Sequence, residues 1–290
     1  MSFGLSLAGG GIKGAAHIGV LKVLEEENIK IDYIAGTSSG SIVAALYAMG
    51  FDSDEIYKIF KKYCKKIKYV DLINIIKLIF GLIIKREIII DGLNSGKEIE
   101  KLINKMCKQK EIYGIEDIKM PLAIPTVDMC DGKVMCFTSC ESRKRYLDNT
   151  TFIHNGDIGK IVRASCSYPV VFSPCKYKGT KLIDGGIREN IPWKELKEIG
   201  ADKILSVVFE DEFDKDCDLN IIEVASRSIN LICKELANYE LDGADYLLKI
   251  KSGKVGLLDI KKMDELYEIG YKTMKKKLGD IRNIKSNKIQ

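Results

Sequence analysis

FGLSLAGGGIKGAAHIGVLKVLEEENIKIDYIAGTSSGSIVAAL, residues 3–46, carries the pattern that decides the fold. Phe3 to Leu7 is a short apolar run that stops at Gly9-Gly10-Gly11. From Ala15 the apolar positions Ile18, Val20, Leu21 and Leu24 then recur at helical spacing until about Glu27. Ile31 to Ala35 reads as a second strand closed by Gly36. Ser39 to Met49 is again helical, through Ile42, Val43, Leu46 and Met49, with Gly50 placed to cap it. Strand, tight turn and helix, repeated, predict an α/β fold with a central, mainly parallel β-sheet flanked by α-helices.

The rest of the chain continues this text. Asp54 to Met106 is helical, with a break at residues 91–96. Met120 to Val127 and Lys133 to Thr138 form a hairpin across Asp131-Gly132. A helix is expected over Ile158 to Ser165, and strands over Lys181 to Ile183 and Ile204 to Phe209. Helices follow over Asp218 to Tyr239 and Met263 to Leu278, with a strand from Tyr246 to Ile250 between them. With no internal repeat and no long linker, one domain over residues 1–280 is expected. Residues 281–290 form a polar, basic tail expected to fray.

Composition narrows the class. At 290 residues, 46% hydrophobic and 30% charged, the chain has the make-up of a globular protein, and a net charge of +5 gives no nucleic-acid footprint. Nine cysteines, an odd number without a C-x-x-C pair, read as free thiols of a reducing compartment. Glycine interrupts the first apolar run, so no signal peptide is read and a cytoplasmic location is expected. Leu72 to Ile84 is the most apolar stretch and falls short of the ~20 residues that cross a bilayer.

Gly36-Thr37-Ser38-Ser39-Gly40 matches G-x-S-x-G between a strand and a helix, the context in which a serine at a sharp turn becomes a nucleophile. A plain serine-rich N-cap is the alternative, and Ser39 and Ser41 compete with Ser38. The glycine turn Gly9 to Gly14 can aim backbone N–H groups at a developing oxyanion. It also reads as G-x-G-x-x-G, with Asp32 placed for a ribose, which leaves a dinucleotide loop open; a Walker loop is absent. Lys13 either attracts an anionic head group or is a solvated lysine at a helix start.

Only two histidines exist: His17, among small apolar residues, reads as a packed structural imidazole and His154, in a polar stretch, as a surface or loop residue, and neither as a convincing base. No histidine follows Asp184, so the usual Ser, acid, His order is excluded for any acid beyond residue 154. Asp184-Gly185-Gly186, after the strand at Lys181 to Ile183, is either a plain turn or a carboxylate presented at a strand end. A carboxylate of ordinary pKa near ~3.9 is a weak base for an alcohol, so the catalytic reading requires a desolvated Asp184 within reach of Ser38.

Gly9 to Gly14, Gly36 to Gly40 and Asp184 to Gly186, together with Ala164 to Pro174, resemble the patatin-like phospholipases in order and spacing. The resemblance extends loosely over residues 3 to about 277. It implies a patatin-like fold and a Ser-Asp dyad lipid acyl hydrolase: Ser38 as nucleophile, Asp184 as base, and Gly9, Gly10 and Gly11 as the oxyanion hole. Lys13, Gly14, Gly36, Gly40, Gly185 and Gly186 support the motifs, and neither metal nor cofactor is implied. Lys13 replaces the family's usual arginine, and Ser41 stands where a second glycine is common.

Residues 54–87 hold nine basic against four acidic side chains, interleaved with apolar ones. They read either as a basic amphipathic patch contacting an anionic membrane peripherally at its inner surface, or as a helical cover over the sheet with a solvated lysine face. A nucleotide- or phosphate-binding module on the glycine loop and a lipid-binding scaffold without turnover stand as alternative functions.

Overall fold

The computed structural model describes residues 1–65, 71–141, 147–211, 221–256 and 259–285. β1 (Phe3–Leu7) passes through the glycine turn into α1 (Gly14–Glu26), and β2 (Tyr33–Gly36) passes through Ser38 into α2 (Ser39–Ala48). Then come α3 (Ser53–Cys64), α4 (Leu72–Phe80), which continues as a π-helical turn over Gly81–Lys85, and α5 (Lys97–Gln109). The hairpin of β3 (Leu122–Asp128) and β4 (Val134–Thr138) is followed by β5 (Thr150–Ile153), α6 (Ile158–Ser165), β6 (Cys175–Tyr177) and β7 (Thr180–Asp184). α7 (Trp193–Ile199), β8 (Lys203–Asp211), α8 (Ile221–Glu240), β9 (Tyr246–Gly253), α9 (Met263–Lys276) and α10 (Leu278–Lys285) complete the order.

The strands form one mixed sheet in the order β5-β4-β3-β2-β1-β8-β9, with the β6-β7 hairpin attached through β7 to β3. Pairing is parallel between β1 and β2, β1 and β8, β2 and β3, β4 and β5, and β8 and β9. One register positions the site. β4 covers one edge of β3, so β2 and β7 share the other: β2 pairs at Leu122 and Ala123, β7 at Thr126 to Asp128. Asp184, opposite Thr126, therefore arrives where β2 has ended and the Ser38 turn begins.

Alternation along the strands separates two cores. On β8, Leu205 and Val207 join the larger core with α1, α2, α3, α5, α6 and α9. Ile204 and Val208 join the smaller one with Trp193, Leu196 and Ile199 of α7. α1 and α9 cross so closely that a Cβ on Gly270 would fall inside the Ala16 carbonyl, and one on Gly19 inside the Tyr267 carbonyl. Backbone is met on both sides, so no side-chain rotation relieves the overlap. Gly270→Ala is expected to cost about 2–3 kcal/mol, a fall in Tm of roughly 5–10 °C by thermal melting. An unchanged Tm would show that the helices do not approach this closely.

Two sequence expectations shift. Residues 54–87 split in character: α3 is capped by an Asp52/Glu55 box and packs Ile56, Phe60 and Tyr63 into the core, whereas α4 buries no residue. Lys66, Ile67 and Lys68 of the expected patch lie outside the described residues. The tail expected from residue 281 is helical through Lys285, because Ile281 packs into the core. Asp218 to Asn220, the expected start of α8, and residues 286–290 also lie outside the described residues.

Candidate active site

Ser38 occupies the turn between β2 and α2 with φ 53° and ψ −123°, a backbone conformation that strains any residue but glycine. The turn is tight enough that a Cβ on Gly36 would overlap the Gly40 carbonyl, and one on Gly40 the Leu7 carbonyl. Those two glycines are therefore steric requirements of the turn. Ser38 N–H donates to Ser165 Oγ (3.1 Å), which in turn donates to the Pro125 carbonyl (2.8 Å), tying the turn to α6 and β3. Ser41, one rival nucleophile, donates its hydroxyl to the Ser38 carbonyl (2.6 Å), while Ser39 Oγ is buried and has no hydrogen-bond partner among the described residues.

The glycine turn lies against this elbow: Thr37 N–H donates to the Leu7 carbonyl, and a Cβ on Gly9 would come within 3.2 Å of Ser38 Cβ. Gly14 opens α1 against the side chain of Ser39. Gly9, expected as an oxyanion donor, gives its N–H to Asn190, to the main-chain oxygen (3.3 Å) and to Oδ1 (3.1 Å). Among the described residues the N–H groups of Gly10, Gly11 and Ser39 have no hydrogen-bond acceptor. They are the amides left over for a ligand.

Asp184 is 2% exposed, at the end of β7. Its Oδ1 accepts the Gly186 N–H (2.8 Å), an arrangement permitted by the small residues Gly185 and Gly186. Burial pushes its pKa up from 3.8 to about 7, opposed by the Ser38 hydroxyl and the Gly186 N–H. The Ser38 hydroxyl is thus near enough to favour the ionised form. Even so, among the described residues no donor reaches Oδ2 in good hydrogen-bond geometry, and that oxygen is buried. Thr37 Oγ1, donating to the Glu189 carbonyl (2.9 Å), locks the elbow to the loop after Asp184.

Ser38, Asp184 and the three glycines line one cleft of about 480 Å³, a usual size for a small-molecule site. The lining is two-sided in chemistry. Ile42, Phe60, Ile99, Val171 and Phe172 are apolar; Lys13, Glu210, Asn230, Lys234 and Lys249 are polar or charged. Lys13, read as either a head-group ligand or a solvated lysine, is only 4% exposed, with its ammonium 6.0 Å from the centre of the Phe209 ring. The solvated reading is excluded.

Other sequence candidates stay apart from the elbow. Asp32 receives the Phe3 N–H (3.0 Å) and pairs with Lys30 at the start of β1, the end of the strand away from the glycine turn. His17 is fully buried, bonded to the Ala8 carbonyl (2.8 Å), and desolvation lowers its pKa to about 4. His154 bonds to Thr138. Of the expected basic patch, Lys61 is taken up by Asp264 and Tyr57, while Lys58, Lys62 and Lys65 are exposed. Asn190, which holds the glycine turn, carries no sequence signal, and Ser165, which holds the serine turn, was noted only as part of the Ala164 to Pro174 resemblance and given no role.

The family model for patatin-like phospholipase matches residues 5–197. Lysophospholipase NTE1 of Lodderomyces elongisporus is 32% identical over 205 residues, covering 70% of this chain and 12% of that protein. Lysophospholipase NTE1 of Coccidioides immitis is 29% identical over 97% of this chain, again a small part, 18%, of the relative. The chain thus spans less than a fifth of the length of these curated relatives. Among solved structures, VipD from Legionella pneumophila superposes with a TM-score of 0.53 at 15% identity, over 96% of this chain and 67% of that one, a likeness of fold. With a match that takes in both the serine elbow and the buried aspartate, the chain belongs to the patatin-like phospholipase family.

Proposed function

We propose that this chain is a lipid acyl hydrolase, of phospholipase A or lysophospholipase type, that cleaves carboxylic esters through a Ser38–Asp184 dyad. The observation that carries the reading is the buried Asp184 carboxylate, one oxygen without a hydrogen-bond donor, facing a serine held in a strained turn. Ser38 Oγ attacks the ester carbonyl and passes its proton to Asp184 Oδ2. The N–H groups of Gly10, Gly11 and Ser39 receive the oxyanion, and Gly9, bound to Asn190, fixes the loop. Collapse expels the alcohol, which recovers the proton. Water then attacks the acyl-serine with Asp184 again as base, releasing the fatty acid.

The apolar lining accommodates an acyl chain and the lysines a phosphate-bearing head group. Peripheral contact with anionic lipid through residues 54–87, on the cytoplasmic face of a membrane, completes the reading. A nucleotide site is disfavoured because Asp32 is committed at the wrong end of β1. A scaffold without turnover leaves the cost of burying Asp184 unexplained.

The test is labelling with a fluorophosphonate followed by peptide mapping. Labelling confined to Ser38, and lost in Ser38→Ala, is expected; labelling at Ser39 or Ser41 would break the mechanism.

A further inference from the structure

Between Asp71 and Leu93 the chain makes an excursion that the core does not cover. Its base is closed by the Asp71 N–H to the Leu93 carbonyl (2.9 Å) and by Asp71 carboxylate bonds to Asn94 (3.1 Å) and to the Ser95 N–H (2.9 Å). Beyond that clasp, Leu72, Ile76, Ile79, Phe80, Leu82 and Ile83 are 50–70% exposed. Exposed aliphatic side chains of this number exceed what scattered surface residues explain. The excursion is also rooted at the cleft: Leu93 N–H donates to the Val170 carbonyl, Asn94 N–H to Val171, and Val171 and Phe172 line the cavity.

We infer that residues 72–89 form an insertion element that enters the apolar layer of a bilayer and brings the cleft mouth onto it. Three features select lipid over a protein groove. Seven of the nine α4 positions are apolar, only Asn74 and Lys77 interrupting them, and none is fully buried, so the apolar surface spreads well beyond the one stripe that a groove covers. From Leu72 to Arg86 there are three cations, Lys77, Lys85 and Arg86, and no carboxylate, which suits phosphate head groups around an apolar tip. Fourteen helical residues from Leu72 to Lys85 are too few to cross a bilayer, where ~20 are needed, but suffice to lie within its interface. The binding is therefore mainly apolar, unlike attraction through the α3 lysines.

A bilayer is chosen because the proposed substrate resides there, so the assignment rests on the acyl-hydrolase reading, and two readouts separate them. The triple variant Ile76→Gln, Ile79→Gln and Ile83→Gln leaves net charge unchanged and alters only exposed positions. Co-sedimentation with pure phosphatidylcholine vesicles is expected for the parent in high salt. The triple variant should need at least about tenfold more lipid for half-binding, while hydrolysing a short-chain soluble ester at the parental rate. Undiminished vesicle binding by the triple variant, or binding by the parent only to anionic vesicles at low salt, overturns the insertion element. So does a parent dimer in gel filtration that the substitutions dissociate without altering vesicle binding. Vesicle binding lost in the variant, with no ester hydrolysis by the parent, overturns the hydrolase reading alone.

Discussion

Asp184→Asn and Ser38→Ala are each expected to lower kcat for a lysophospholipid or a soluble aryl ester by at least about 1,000-fold, and the double variant to be no slower than either single one. The non-additivity follows from the proposed mechanism: without the Ser38 nucleophile no acyl-enzyme forms, so Asp184 has neither a serine proton nor a deacylating water to act on. The asparagine side chain keeps an oxygen for the Gly186 N–H, so the loop survives, but it presents an amide N–H₂ where Asp184 Oδ2 would take the serine proton. KM should change little, because the cleft lining and the three free amides remain. Residual turnover would come from the amides of Gly10, Gly11 and Ser39, which need no base. Retention of more than a tenth of parental kcat by Asp184→Asn would mean that another group takes the proton. His17 is a poor replacement, its Nε2 being tied to the Ala8 carbonyl.

Much of this site was legible because glycine leaves a sharp signature. Gly9, Gly36 and Gly40 mark places where only a missing Cβ lets the loops meet, and periodicity on either side identified the strands and helices. What brings Asp184 to Ser38 was not legible: it depends on β7 taking over the edge of β3 that β2 leaves free, a pairing between residues far apart in sequence. Asn190 was invisible for the same reason, since its work is a bond to Gly9 across most of the chain. Residues 72–87 read only as part of a basic patch over 54–87, and their separate character was not legible for a different reason. Where nearly every position is apolar, helical spacing cannot say which face is inward, and here no residue of α4 is fully buried.

A second result is expected to run against the usual direction of mutation: at pH 8, Asp184→Asn should melt higher than the parent. An unfolded aspartate ionises near ~3.9, whereas burial raises the folded pKa to about 7, so the folded state binds the proton more tightly. The stabilising contribution of Asp184 is thus fully present below pH ~4. It is lost as pH rises through about 7, leaving a deficit at alkaline pH of roughly 2–4 kcal/mol once relaxation around the cleft is allowed for. Asparagine never carries the charge and keeps the Gly186 bond, so its advantage should be on the order of 5–10 °C at pH 8 and shrink steadily toward pH 4. On the proposed dyad, the same ionisation governs catalysis in the opposite sense. Only the carboxylate accepts the Ser38 proton, so parental kcat/KM should climb tenfold per unit of pH up to about 7 and then level. Thermal melts and rate profiles from pH 4 to 9 read one group by two routes. A variant less stable than the parent at pH 8, or an acid limb centred near 4, would mean that Asp184 is solvated and ordinary, and the dyad would lose its base.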